Sequence, residues 1–153
     1  HNIMLKFLTY KIIPEKKLII EYFCGQIFLN DVTKLKLSET KDDEFDPNYN
    51  FIVDLRDAKF YYNEAKIRAY VDFLSENKKV FGQRRIAHIT KTPNQVTVCT
   101  MFDLFKDKLP IKIKVVSSVR AAIEYVGLTD RDIYLVESWI NRIKVHYSEK
   151  ILN

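Results

Sequence analysis

The sequence predicts an α/β domain: a mixed sheet of about five strands covered by helices, with an extra helix at the carboxyl end. Three observations carry this. Phe51-Ile52-Val53-Asp54-Leu55 is an almost unbroken apolar run, the pattern of a strand buried on both faces. Short β-branched and aromatic runs alternate with helical stripes along the chain, the pattern of strand-helix-strand crossovers. Turn and cap residues punctuate the boundaries, among them Pro14, Asn63, Thr92-Pro93, Ser117-Ser118 and Gly127.

Taken in order, Leu5–Ile13 and Lys17–Cys24 read as two strands joined at Pro14-Glu15, with Gly25 ending the second. Asn30 or Asp31 can cap a helix carrying Val32, Leu35 and Leu37, which frays into the acidic segment Lys41–Asp46. Pro47-Asn48-Tyr49-Asn50 turns the chain into the strand Phe51–Leu55, and a charged loop follows it. Asn63 opens the next helix, whose stripe is Ile67, Tyr70, Val71 and Leu74, widened by Phe73. Arg85–Thr90 is a strand. Thr92-Pro93-Asn94-Gln95 starts a third helix bearing Val96, Cys99, Met101, Phe102 and Phe105. In Ile111–Val116 the isoleucines and Val115 alternate with Lys112 and Lys114, as in a half-exposed strand. Ser117 or Ser118 caps the helix Val119–Val126, and Gly127 stops it. From Asp130 the chain reads as a last helix with Ile133, Val136, Ile140, Ile143 and Tyr147 at steps of three and four. Such a stripe suits either the protein's own sheet or a second subunit.

Bulk composition narrows the class. The chain has 153 residues, enough to bury a real core as one domain, and is 47% hydrophobic and 29% charged, which excludes general disorder. Its net charge of +5 comes from 25 basic against 20 acidic residues. The basic residues fall mostly at expected helix ends and strand edges, so no nucleic-acid partner is expected. Cys24 and Cys99 lack CxxC neighbours and read as free, buried thiols in a reducing compartment. No apolar run approaches the ~20 residues needed to span a bilayer, and Lys6 and Lys11 break any signal-peptide pattern near the start. A cytoplasmic protein without membrane insertion is the expectation.

Motifs for chemistry are sparse. Three glycines make a phosphate-binding loop improbable, and there is no HExxH, no GxSxG and no cofactor or metal signature. Asp54, Arg56 and Asp57 are the best polar candidates: two carboxylates can do acid–base work if their environments differ, or can simply pair with the arginine. His88 lies inside a strand and His146 has no nucleophile beside it.

The layout resembles the STAS superfamily (sulfate transporter and anti-sigma factor antagonist), and within it stand-alone bacterial members of unassigned role. The resemblance covers residues 7–128. It rests on Tyr10-Lys11-Ile12-Ile13-Pro14-Glu15 with Leu18-Ile19 and Gly25, on Asp46–Arg56, on Arg85-Ile86-Ala87, and on Ala121–Gly127. It implies a STAS-like domain over residues 5–128 and a helical extension over 129–153. Anti-sigma factor antagonists carry Asp-Ser-x-Gly at the helix after the central strand, and phosphorylation of that serine ejects the partner. Here the motif falls on Tyr62-Asn63-Glu64-Ala65. Asn63 can cap the helix but has no hydroxyl, so serine switching is not expected.

The expected function is therefore a non-enzymatic protein-interaction or regulatory module, a homodimer formed through the last helix. Binding is expected at a loop spanning Asp54–Asn63, with Tyr61 and Tyr62, and at the neighbouring Lys91–Gln95 loop, with Thr92 and Asn94. The alternative is a carrier of a lipid or other apolar ligand. Ten Phe and nine Tyr would line its cavity, which should measure several hundred Å³. A third reading, an enzyme using Asp54 and Asp57, requires those carboxylates to face a cleft without being fully paired to Arg56.

Overall fold

A computed structural model describes residues 6–152 of the chain. Five strands, β1 (Phe7–Ile13), β2 (Leu18–Phe28), β3 (Asn50–Tyr61), β4 (Arg84–Ile89) and β5 (Ile111–Val116), form one sheet in sequential order. β1 is antiparallel to β2 and every later pairing is parallel. Five helices cover the sheet: α1 (Leu29–Thr40), α2 (Glu64–Glu76), α3 (Pro93–Phe105), α4 (Val119–Tyr125) and α5 (Ile133–Leu152). Leu5, expected to open β1, lies outside the described residues.

The layers follow from period-two alternation in the strands. Ile19, Phe23, Phe51, Val53 and Ile86 point to one face, where Val32 and Leu35 of α1, Ile67 and Leu74 of α2, and Val98 and Cys99 of α3 pack on them. Ile20, Ile52, Ala87 and Ile89 point to the other, beneath α4 and α5. Phe51 and Ile52 are adjacent and both fully buried, each contributing about 1.5–3 kcal/mol relative to exposure. Both cysteines are free and buried.

Several expected boundaries and faces are corrected. Gly25 does not end β2: it takes φ 88°, a conformation costly for any side chain, and the strand runs on to Phe28 paired with β3 alone. α1 begins at Leu29, and Asp31 sits in its first turn, accepting the Phe28 N–H at 2.8 Å. Leu37 and Val96, placed in apolar stripes, are exposed. Gly127 stops α4 as expected, at φ 81°: Leu128 N–H bonds Ile123 O at 3.0 Å and Gly127 N–H bonds Glu124 O at 3.2 Å, the paired bonds of a Schellman ending.

The α5 stripe faces inward. Val136 and Ile140 are buried among the α4-side core residues, Ile133 packs on the same cluster, Ile143 lies against Tyr22 and Cys24, and the Tyr147 ring sits 4.9 Å from that of Phe7. The face expected to pair with a second subunit is thus occupied by the protein's own sheet. A Lys16–Asp132 ion pair at 2.9 Å ties the β1–β2 turn to the one-turn helix preceding α5.

Candidate functional site

The expected loop after β3 is strand. β4 pairs with β3 only as far as Asp54, and beyond it β3 continues beside β2 to Tyr61, so Cys24–Phe28 and Asp57–Tyr61 form a two-stranded ribbon. A bulge opens this ribbon: β2 advances from Tyr22 to Cys24 while β3 advances from Asp54 to Asp57. The extra residue breaks the alternation, so Asp54, Arg56 and Asp57 all reach the α5 side while Ala58 and Phe60 join the opposite core.

There the three charges form a closed network. Asp54 is 0% exposed and accepts from Arg56 Nε at 2.9 Å, Nη2 at 3.0 Å and the Arg56 backbone N–H at 3.1 Å. Asp57 accepts from the Tyr22 hydroxyl at 2.6 Å, and Lys144 Nζ of α5 lies 3.8 Å from Asp54 and 3.7 Å from Asp57. The hydrogen bond to Asp54 raises the Arg56 pKa despite partial burial. This geometry pins β3 to α5. Asp54 does not meet the condition set for acid–base work, since both its oxygens are engaged by Arg56.

The outer edge of β3 beyond Asp54 would leave backbone groups unpaired, and α3 supplies the partners. Asn94 Oδ1 accepts the Phe60 N–H at 2.8 Å and its Nδ2 donates to Phe60 O at 2.9 Å. Gln95 Nε2 donates to Ala58 O at 2.8 Å and Arg56 O at 3.2 Å, while its Oε1 accepts the Lys91 and Thr92 N–H groups. Thr92 and Asn94 are therefore a helix cap and a strand clamp. Gln95, which the sequence placed at the end of the expected Lys91–Gln95 binding loop, is the central residue of the strap.

At the ribbon tip the surface is aromatic and basic. Phe28 is 46% and Tyr61 38% exposed, their rings stacked with centroids 5.4 Å apart. Lys6 Nζ lies 5.1 Å from the Phe28 ring and Lys59 Nζ 5.5 Å from that of Tyr61. Between the tip and α2 is an open groove of about 620 Å³, bordered by Leu29, Asn30, Tyr62, Asn63 and Lys66. Asn63 caps α2, its Oδ1 accepting the Lys66 N–H at 2.9 Å. Asn63→Ala is expected to cost about 1 kcal/mol in urea unfolding and Asn63→Ser almost nothing, because serine restores the acceptor. Thus Tyr61, Tyr62 and Asn63 come together at the tip, Thr92 and Asn94 support it from α3, and Asp54, Arg56 and Asp57 lie on the opposite face.

A second constellation had no sequence signal. Glu21 of β2, Lys36 and Glu39 of α1, and Arg84 and His88 of β4 are all buried between the sheet and α1–α3. Lys36 Nζ is 2.7 Å from Glu21 Oε2 and 3.8 Å from Glu39 Oε1, and 4.2 Å from the centroid of Phe51. Burial works against charge on Glu21, but Lys36, then Glu39 and then Arg84 hold its carboxyl below the usual range. Burial, then the neighbouring Glu21, pushes Glu39 well above it. Burial lowers His88 to about 4. The five come from three separate segments, so only the assembled layer brings them together; the one clue was Glu21 within the apolar run Leu18–Cys24. The cavity beside them measures about 70 Å³, far below what a lipid needs.

No family model and no curated protein matches the chain. Among solved structures, it is similar to an uncharacterized protein of the DUF3478 family with a SpoIIAA-like fold from Shewanella loihica PV-4. Sequence identity is 14% and the TM-score 0.53, over 82% of this chain and 97% of that one. An antisigma-factor antagonist STAS domain from Rhodobacter sphaeroides aligns at 13% identity and TM-score 0.32, over 74% of this chain and 87% of that one. The fold is thus SpoIIAA-like, as in the first of these structures, a five-stranded mixed sheet with a helix at its carboxyl end. No helix among the described residues is long and apolar enough to cross a membrane.

Proposed function

We propose that this STAS-like chain is a non-enzymatic regulatory module of the cytoplasm that binds a protein partner at the tip of the β2–β3 ribbon. The observation that carries the reading is the exposed Phe28–Tyr61 stack beside the capped start of α2. Large aromatics in the open are unfavourable unless something covers them, and aromatic anchors dominate protein interfaces. Lys59 and Lys66 beside the stack favour a partner carrying acidic side chains, whereas Lys6 is paired with Asp31 at 2.9 Å. The site is held rigid from below by the Asn94–Gln95 strap and the Asp54 network. Asn63 offers no hydroxyl, so control of binding by phosphorylation of that residue forms no part of the reading.

The test is site-specific photocrosslinking in the native host. A benzophenone side chain at Tyr61 is expected to give discrete heteromeric adducts, and one at Tyr134, 80% exposed at the start of α5, is expected to give none. Phe28→Ala should weaken the Tyr61 adducts. Equal labelling from both positions, or none from Tyr61, would contradict the assignment.

A further inference from the structure

The small cavity between the sheet and α1–α3 has a wall made mostly of hydrocarbon, yet three charged side chains reach it, the carboxylate of Glu21 and the cations of Lys36 and Arg84. Lys36 is satisfied by Glu21 at 2.7 Å. Arg84 is not: it is 5% exposed, and its Nε and Nη1 make no hydrogen bond among the described residues. Its guanidinium lies 4.3 Å from the Phe51 ring centroid. A cation–π contact does not satisfy N–H groups, and a buried guanidinium without acceptors is strongly disfavoured. His88, four residues along β4 and facing the same cavity, also has its Nδ1 unpartnered. Arg84 and Ile111 line, in addition, an open groove of about 800 Å³ around Pro110 and Lys112, so the same arginine stands between the cavity and solvent.

We propose that this cavity is a binding site for a monocarboxylate the size of acetate, entering past Arg84 from the Pro110 groove. Its carboxylate accepts from the free guanidinium N–H groups, and its methyl end lies against Val53 and Val98. The size follows from volume. A water's share of the liquid is about 30 Å³, so a cavity of about 70 Å³ has room for only a few heavy atoms. The charge follows from the local balance. The nearest carboxylate, Glu21, is hydrogen-bonded to Lys36, and among the described residues no carboxylate comes within 4 Å of Arg84, whose Nε and Nη1 are left without an acceptor. This site is separate from the ribbon tip and stands whether or not a protein docks there.

The test is a titration of the full chain with sodium acetate at pH 7 and constant ionic strength, reading arginine Nε–H resonances by two-dimensional NMR. Arg84→Lys assigns the Arg84 signal. A saturable shift of that signal with acetate, absent with sodium chloride, is expected. Val98→Leu, which fills the cavity without removing a charge, should weaken acetate binding at least tenfold while the protein stays folded. No saturable shift, an equal response to chloride, or unchanged affinity in Val98→Leu would overturn the proposal.

Discussion

Replacing Lys36 with methionine is expected to cost about 3–5 kcal/mol of folding stability at pH 7, because it strips a buried carboxylate of its hydrogen-bonded cation. Lys36 and Glu21 side chains are 7% and 2% exposed, so water cannot take the ammonium's place. Methionine keeps most of the apolar stem while removing the ammonium that meets Glu21 and the Phe51 ring, so the change is chiefly one of charge. The loss should shrink as pH falls, since Glu21 will then accept a proton in the variant. Combining the change with Glu21→Gln should recover much of the stability, because the uncompensated charge is gone. Urea unfolding followed by circular dichroism measures all three proteins. A loss below ~1 kcal/mol for Lys36→Met would show that the pair is not shielded as the geometry indicates.

Acidification from pH 6.5 to 4.5 is expected to remove about 2–3 kcal/mol through His88 alone. Burial holds this histidine at about 4 in the folded protein, against 6.5 in the unfolded chain. Over that window the unfolded state binds a proton that the folded state refuses. The stability is therefore complete above 6.5 and declines as pH falls. Glu21, Lys36 and Asp103 are the charged groups that act on His88; the carboxylates draw its pKa upward and Lys36 reinforces burial. Glu39 acts with the opposite sign. Its folded pKa is raised, so its contribution is complete below 4.5 and is lost as pH rises through the folded value. Stability should therefore pass through a maximum, with His88→Gln flattening the acid limb and Glu39→Gln the alkaline limb. An acid limb unchanged in His88→Gln would refute the assignment.

The degree to which the site was legible depended on how local its determinants are. Asn63 and Thr92 cap α2 and α3 as their sequence positions indicate, because a cap is a contact across three residues. The Lys112 and Lys114 alternation in β5 and the αL ending at Gly127 are equally local. The charged stretch after Leu55 misled for a definite reason. Asp54, Arg56 and Asp57 look like loop residues until the bulge turns all three toward α5, where Tyr22 and Lys144 meet them. Gln95 was placed in the binding loop, but its role as a strap was not legible, since its partners are the carbonyl groups of Arg56 and Ala58, nearly forty positions earlier in the chain.

By itself, then, the sequence determined the order of the strands and helices and the caps of α2, α3 and α4, because these follow from periodicity and from hydrogen bonds within a few residues. Tertiary structure decided the rest. The α5 stripe has one pattern whether it covers its own sheet or another subunit, and only the sheet face that α1–α3 leave uncovered decides between them. Likewise the buried group of Glu21, Lys36, Glu39, Arg84 and His88 comes from three separate segments. Charges distant in sequence interact only where packing has excluded the water that would otherwise solvate each one alone.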